Sequence, residues 1–318
     1  MIAMVITGGR TSYYLIKELK KKNIKVVLID KSKNCFSRNE ADKFYQISCT
    51  NFQKIFKIAK SLKPNFFVAY TSNMNVHKVV SKISNILKKK YVSLKDLEII
   101  SCKKKQKKFY NHYKISTPSK INLKNKVKFP IIFKSNHGVG SYGVQIINSL
   151  TQLKRHKEKN NIKGFYEEFI KGSLYHIDGL SSDNNYKILQ IVKKKIKSYN
   201  GIPLTHGYEI LNQKNKTHIM NIVKNEIKKI FCNLKIKRNF WGVDFIIKDN
   251  KAYFIEFGIL HDCMIDRLYN FSNINIYNLY ISLLNGKIIP KIINKLNNLK
   301  FGKLDFLYSN KNGFLLNQ

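Results

Sequence analysis

Residues Phe129-Pro130-Ile131-Ile132-Phe133-Lys134-Ser135-Asn136-His137-Gly138-Val139-Gly140-Ser141-Tyr142-Gly143-Val144 divide into two parts. Ile131 to Phe133 is a short apolar run behind a proline, which suits a buried strand, and Lys134 closes it. Gly138, Gly140 and Gly143 then fall within six positions among small residues. Glycine lacks a Cβ and permits positive φ, so backbone N–H groups can converge on an anion. A lysine at a strand end followed by bare amides suits a polyphosphate, although such a loop is more commonly a tight turn without a ligand. The spacing is not G-x-x-x-x-G-K-[ST], which excludes the ordinary P-loop.

The 318 residues are 43% hydrophobic, enough to build two or three small domains. Lys and Arg number 59 against 19 Asp and Glu, a net charge of +40. That charge invites a nucleic-acid reading. The lysines are spread along the whole chain, however, and the accompanying wealth of Asn and Ile is what AT-rich codons impose; a dedicated nucleic-acid surface is therefore not expected. Five scattered cysteines without a CxxC suggest neither a zinc site nor a disulfide framework and fit a reducing cytoplasm. No run of ~18 apolar residues predicts a membrane span.

Upstream, Ile2 to Ile6 reads as a strand, Tyr13 to Lys22 as a helix and Lys25 to Ile29 as a second strand ending at Asp30, a βαβ opening. Phe66 to Tyr70 is a further strand, and Val76 to Leu87 an amphipathic helix. Residues 1–95 thus read as an open parallel α/β domain. Lys103 to Tyr113 is a basic helix, and Gln152 to Lys159 a polar one. Phe165 to Ile170 reads as a strand. Tyr175 to Leu180 and Tyr186 to Val192 flank a Ser182–Asn185 turn cluster. The run Lys193-Lys194-Lys195 reads as a solvated face, and His176 as packing on its strand. A helix over Ile219 to Ile230 precedes two strands, Trp241 to Ile247 and Ala252 to Phe257, joined as a hairpin. Trp241 reads as buried beside it. A last helix, Asn275 to Leu284, precedes a weak strand at Leu304 to Tyr308.

Acidic residues are scarce, so their placement informs. With the hairpin turn near Asn250, Asp244 and Glu256 stand equally far along the two strands and face each other. Opposed carboxylates, with Cβ atoms roughly 4.5–5.5 Å apart, repel unless a cation sits between them. Mg²⁺ is such a cation, and it supplements carboxylates with phosphate oxygens and water. Val243, Phe245, Ile255 and Phe257 are expected on the core side.

In this order, the glycine loop, the Glu167-Glu168-Phe169-Ile170 strand and the acidic hairpin resemble the ATP-grasp superfamily. The likeness is greatest to its carbamoyl-phosphate-synthase-like and biotin-carboxylase-like carboxylate–amine ligases, over about residues 1–285. The resemblance implies an N-terminal open parallel α/β (pre-ATP-grasp) domain over 1–95. A two-subdomain ATP-grasp fold over 96–285 would follow, with a lid at about 118–170 and a tail at 286–318. It implies ATP and Mg²⁺, or Mn²⁺, with Asp244 and Glu256 as metal ligands. Lys103, Lys134 and the loop residues Gly138, Gly140, Ser141 and Gly143 would hold phosphate, and backbone groups of Glu167, Glu168, Phe169 and Ile170 would read adenine. The chain departs from the pattern at Cys102 (usually Asp), Leu174 (often a ribose-binding Glu), Gly258 (usually Asn) and Leu260 (usually a phosphate-binding Arg). His261, Asp262 and Arg267 are the candidates to replace that Arg.

The implied activity is cytoplasmic ligation of a small-molecule carboxylate to an amine through an acyl phosphate, with no side-chain nucleophile or general base assigned. No membrane partner is expected, and a homodimer is an assembly the resemblance allows. The alternatives are a nucleotide-binding homologue with little catalytic activity and a basic nucleic-acid-associated protein.

Overall fold

The structure is a computed structural model that describes residues 1–183, 185–260, 269 and 274–287, together with the backbone of two C-terminal strands. Strands β1 (Ile2–Ile6), β2 (Lys25–Asp30), β3 (Lys43–Gln46) and β4 (Phe66–Val68) form a parallel sheet in the order β3-β2-β1-β4. Alternation along β1 sends Ala3 and Val5 to one face and Met4 and Ile6 to the other. Helix α1 (Arg10–Lys21) covers the first face with Leu15, Ile16 and Leu19. Helices α2 (Phe52–Leu62) and α3 (Met74–Ile86) cover the second. Both faces are buried, as a parallel sheet requires.

Helix α1 begins three residues before the predicted start. Its first turn, Arg10-Thr11-Ser12, is polar and carries no apolar period. Strand β3 and helix α2 occupy a stretch in which the sequence reading placed no element. Asn51 caps α2 by accepting a hydrogen bond from Lys54 N.

Helices α4 (Leu94–Ile100) and α5 (Lys103–His112) lead into a three-stranded antiparallel sheet of order β6-β5-β7. Its strands are β5 (Ile131–Ser135), β6 (Val144–Ile147) and β7 (Gly164–Glu168), and α6 (Leu150–Lys159) backs it. Ile131, Phe133, Ile147 and Leu153 make its core. Strand β7 stops at Glu168, so Phe169 and Ile170 belong to the connection that follows rather than to the strand.

The largest sheet is antiparallel. It contains β8 (Ser173–Ser181), β9 (Tyr186–Tyr199), β10 (Ile202–Ile210), β11 (Asn239–Lys248), β12 (Lys251–Ile259), β13 (Gly302–Ser309) and β14 (Gly313–Leu316), in the order β12-β11-β8-β9-β10-β13-β14. β13, predicted as a weak strand, pairs with β10. Helix α7 (Gln213–Asn233) packs Ile219, Val223, Ile227 and Ile230 against Trp241, Val243 and Phe245 of β11. Helix α8 (Ile276–Leu284) joins the other face to α1. The expected N-terminal open parallel α/β domain is therefore found, and two antiparallel sheets follow it. Among the described residues no helix is long and apolar enough to cross a membrane.

β12 is an edge strand, and α5 covers part of its edge. Gln106, almost fully buried, donates from Nε2 to Phe257 O at 2.9 Å and accepts from Phe257 N at 3.0 Å. The side-chain amide thus replaces a neighbouring strand at that position. Nε2 also donates to Ile100 O at 2.7 Å. Gln106→Leu keeps the volume but strands these backbone groups, so chemical denaturation is expected to show a loss of roughly 2–4 kcal/mol. An unchanged midpoint would show that α5 docks by its apolar contacts alone.

Candidate active site

Alternation along β5 turns Phe133 toward α6 and Lys134 toward the opposite side, the cleft side, where side chains of α5 meet both the small and the large sheet. Lys134 is buried, with Nζ 2.5 Å from Glu167 Oε1. Glu167 Oε2 lies 2.6 Å from Lys107 Nζ on α5. Glu167 therefore bridges two lysines with its side chain. Glu168 accepts from Ser119 N at 2.8 Å through Oε1, which ties β7 to the segment after α5.

The glycine loop lies between β5 and β6, and Gly138, Gly140 and Gly143 all have positive φ. It is anchored at several points. Ser135 N donates to Gly143 O at 2.8 Å, and Ser141 Oγ donates to Pro203 O of β10 at 2.5 Å. His137 Nδ1 donates to Ser101 O at 2.7 Å, which ties the loop to the residue after α4. Lys103 Nζ donates to Gly138 O at 2.7 Å and also lies 3.0 Å from Glu256 Oε1. One ammonium thus joins the glycine loop to the acidic hairpin.

Asp244 and Glu256 are cross-strand partners, as their spacing predicts. The turn itself is Asp249-Asn250, both at positive φ between paired Lys248 and Lys251, a two-residue primed turn. A turn centred there would pair Asp244 with Ile255. A register shift between Asp244 and Phe245 restores the Glu256 partnership. The same shift alters the core assignment. Val243, Phe245 and Phe257 are buried as expected, but Ile255 is only half-buried and Phe254 fills the core instead.

The two carboxylates do not face each other uncompensated. Lys103 pairs with Glu256, while Lys194 Nζ lies 2.9 Å from Asp244 Oδ2 and His176 Nδ1 2.5 Å from Asp244 Oδ1. The expected repulsion is relieved by cations brought from three elements. Lys194 thus departs from the solvated-face reading: it lies within β9, and the ladder aims its ammonium into the cleft. His176 does more than pack. It sits between Asp244 and the fully buried Asp178, whose other oxygen accepts from Tyr269. A Cβ at Gly242 would lie 2.7 Å from the His176 ring, so the glycine makes room for it. Lys194 and Asp178 escaped sequence reasoning because strand alternation is blurred where both faces of β8 and β9 are buried, and Lys107 because it is one of several lysines on the basic helix α5.

Two carboxylates in register fit Mg²⁺, which takes one or two carboxylates together with substrate phosphates and water. Among the described residues no group of three or more His, Cys, Asp or Glu side chains could hold a metal, so these residues offer a metal no more than the carboxylate pair. Leu260, at the departure from the family pattern, has φ +65°. His261, Asp262 and Arg267 lie outside the described residues.

Burial disfavours a charged His176, but Asp178 and Asp244 outweigh it and push the imidazole up to about 10. Burial likewise opposes the Asp244 carboxylate, yet Lys194 and His176 hold its pKa well below the usual range. A histidine with a raised folded pKa contributes its full stability below its unfolded pKa of about 6.5 and loses it as pH rises. The melting-temperature advantage of wild type over His176→Asn should therefore shrink steadily between that pH and about 10. A gap constant across this window would mean that the ring is neutral in the fold.

Residues 100–257 match the profile of the ATP-grasp domain. Carbamoyl-phosphate synthase of Methanobrevibacter smithii is 28% identical over 117 residues, which are 35% of this chain and 32% of that protein. The match thus spans about a third of the length of that relative. The structure of N5-carboxyaminoimidazole synthetase from Staphylococcus aureus, complexed with ADP, is similar with a TM-score of 0.75 at 17% identity, covering 96% of this chain and 82% of that one. The L-amino acid ligase from Bacillus licheniformis gives a TM-score of 0.74 at 14% identity, covering 96% and 79%. Residues 100–257 thus make an ATP-grasp domain.

Proposed function

We propose that the chain is an ATP-dependent ligase that activates a small-molecule carboxylate as an acyl phosphate and joins it to an amine. The observation that carries this reading is the Lys103 ammonium. It contacts Gly138 of the glycine loop and Glu256 of the acidic pair together, which supports a reading in which the loop serves phosphates and the pair a metal in one cleft. The ADP complex of a structural neighbour and the ligase activity named for another support it.

Lys134 and Lys103 would hold the phosphates as point charges, with the loop amides around them. Phe169 and Ile170, outside the strand ladder, would offer backbone groups to adenine. Asp244 and Glu256 would hold Mg²⁺, which would supply charge neutralisation to the phosphates during phosphoryl transfer. The substrate carboxylate attacks that phosphoryl group and ADP leaves. The amine then displaces phosphate from the acyl phosphate. Exclusion of water by the glycine loop protects the intermediate from hydrolysis. A cytoplasmic location fits the four free cysteines among the described residues.

A second reading is a homologue that binds nucleotide without turnover. Leu174, Gly258 and Leu260 favour it, since each replaces a polar side chain of the family pattern. ADP release across a panel of small acids and amines separates the two readings. Release that depends on an acid and an amine together supports ligation, and nucleotide binding without any release supports the second reading.

ATP–Mg²⁺ at millimolar concentration should raise the melting temperature of wild type by ligand linkage, and Lys134→Ala should weaken that gain. Glu256→Gln should lower the apo melting temperature, because it leaves the buried Lys103 without its anion. It should also gain less from ATP–Mg²⁺. Full retention of the gain in both variants would remove these residues from the nucleotide site.

A further inference from the structure

The cleft uses one face of the small sheet, and the opposite face carries a second cavity of about 600 Å³. Phe133 and Ile147 line it from the sheet, Arg155 and Lys159 from α6, and Gly201 and Ile202 from the tip of the β9–β10 hairpin. No aspartate or glutamate is among its lining residues. Arg155 has no ion-pair, hydrogen-bond or ring partner among the described residues, and neither has Lys159. Arg10, Arg38 and Arg238 each have one. The cavity therefore combines an apolar wall with two solvent-exposed cations, one helical turn apart at its rim, that no protein anion engages among the described residues. A guanidinium fork suits a carboxylate or a phosphate.

The cavity also bridges two bodies. Ile146 N donates to Gly201 O at 2.7 Å, and Gln145 Nε2 donates to Asn200 O at 3.3 Å. Gly201 has φ +81°, and a Cβ there would meet Ile146 O at 2.9 Å, so this close approach requires a glycine. The hairpin tip continues along β9 to Lys194, six residues or about 20 Å away, where the ammonium holds Asp244. A ligand between α6 and the hairpin would thus press on the small sheet and on the strand that supports the acidic pair.

We propose that this cavity is a second ligand site, for a small organic oxyanion carried on an apolar body, and that its occupancy changes nucleotide affinity in the cleft. The coupling half rests on the nucleotide reading above; the binding half does not. Coupling of this kind is reciprocal, so each ligand shifts the affinity of the other by the same factor.

The probes are phenyl phosphate, benzoate and inorganic phosphate, titrated into the full chain with thermal melting and calorimetry as readouts. Phenyl phosphate or benzoate should stabilise wild type, and whichever binds more tightly identifies the oxyanion. Arg155→Ala/Lys159→Ala should lower that affinity on the order of tenfold or more. Lys134→Ala, altered on the other face, should keep it. The double variant should still be stabilised by ATP–Mg²⁺. The site is overturned if neither aromatic anion stabilises wild type, if the double variant binds them as tightly, or if inorganic phosphate matches them, since the apolar wall would then be unused. Saturating the cavity should change the ATP–Mg²⁺ affinity, and an unchanged affinity overturns the coupling. If ATP–Mg²⁺ binds no variant, the nucleotide reading and the coupling fail together, while the probe-binding arms still decide the site.

Discussion

The side-chain amide of Gln106 against the backbone of Phe257 positions everything else in the cleft. It lays α5 along the open edge of β12. Lys103 then falls beside Glu256, the residue before Phe257, and Lys107 reaches Glu167 one helical turn on. Side chains four apart share a helix face, so one docking contact delivers two lysines to two sheets. The connection from β7 to β8 links those sheets covalently; α5 holds them in electrostatic register.

The cleft is expensive to build. Buried or partly buried cations at Lys103, Lys107, Lys134, Lys194 and His176 are offset by Glu167, Asp178, Asp244 and Glu256. Desolvating such pairs costs about as much as, or more than, their attraction returns, so this density of charge is not explained by stability. It suits the proposed function, in which a highly charged nucleotide would meet groups already in place and so spare reorganisation on binding. Burial lowers the pKa of Lys107 even with Glu167 beside it, so desolvation dominates there. Elsewhere the +40 charge is mostly solvated lysine, consistent with compositional bias.

Periodicity and turn chemistry by themselves determined the parallel opening, the glycine loop behind β5, the β8–β9 pair and the primed hairpin carrying Asp244 and Glu256. These rest on local rules that span a few residues: apolar alternation, helical spacing and turn residues. Only the tertiary structure decided which cations accompany the carboxylates, because Lys103, His176 and Lys194 arrive from α5, β8 and β9. It also decided that Phe254 rather than Ile255 enters the core, since the local irregularity that shifts them leaves no mark in a binary pattern. A run of three lysines carries no information about which one will turn inward. That choice is made by the ladder between β8, β9 and β11, which brings Lys194 against the carboxylate of Asp244.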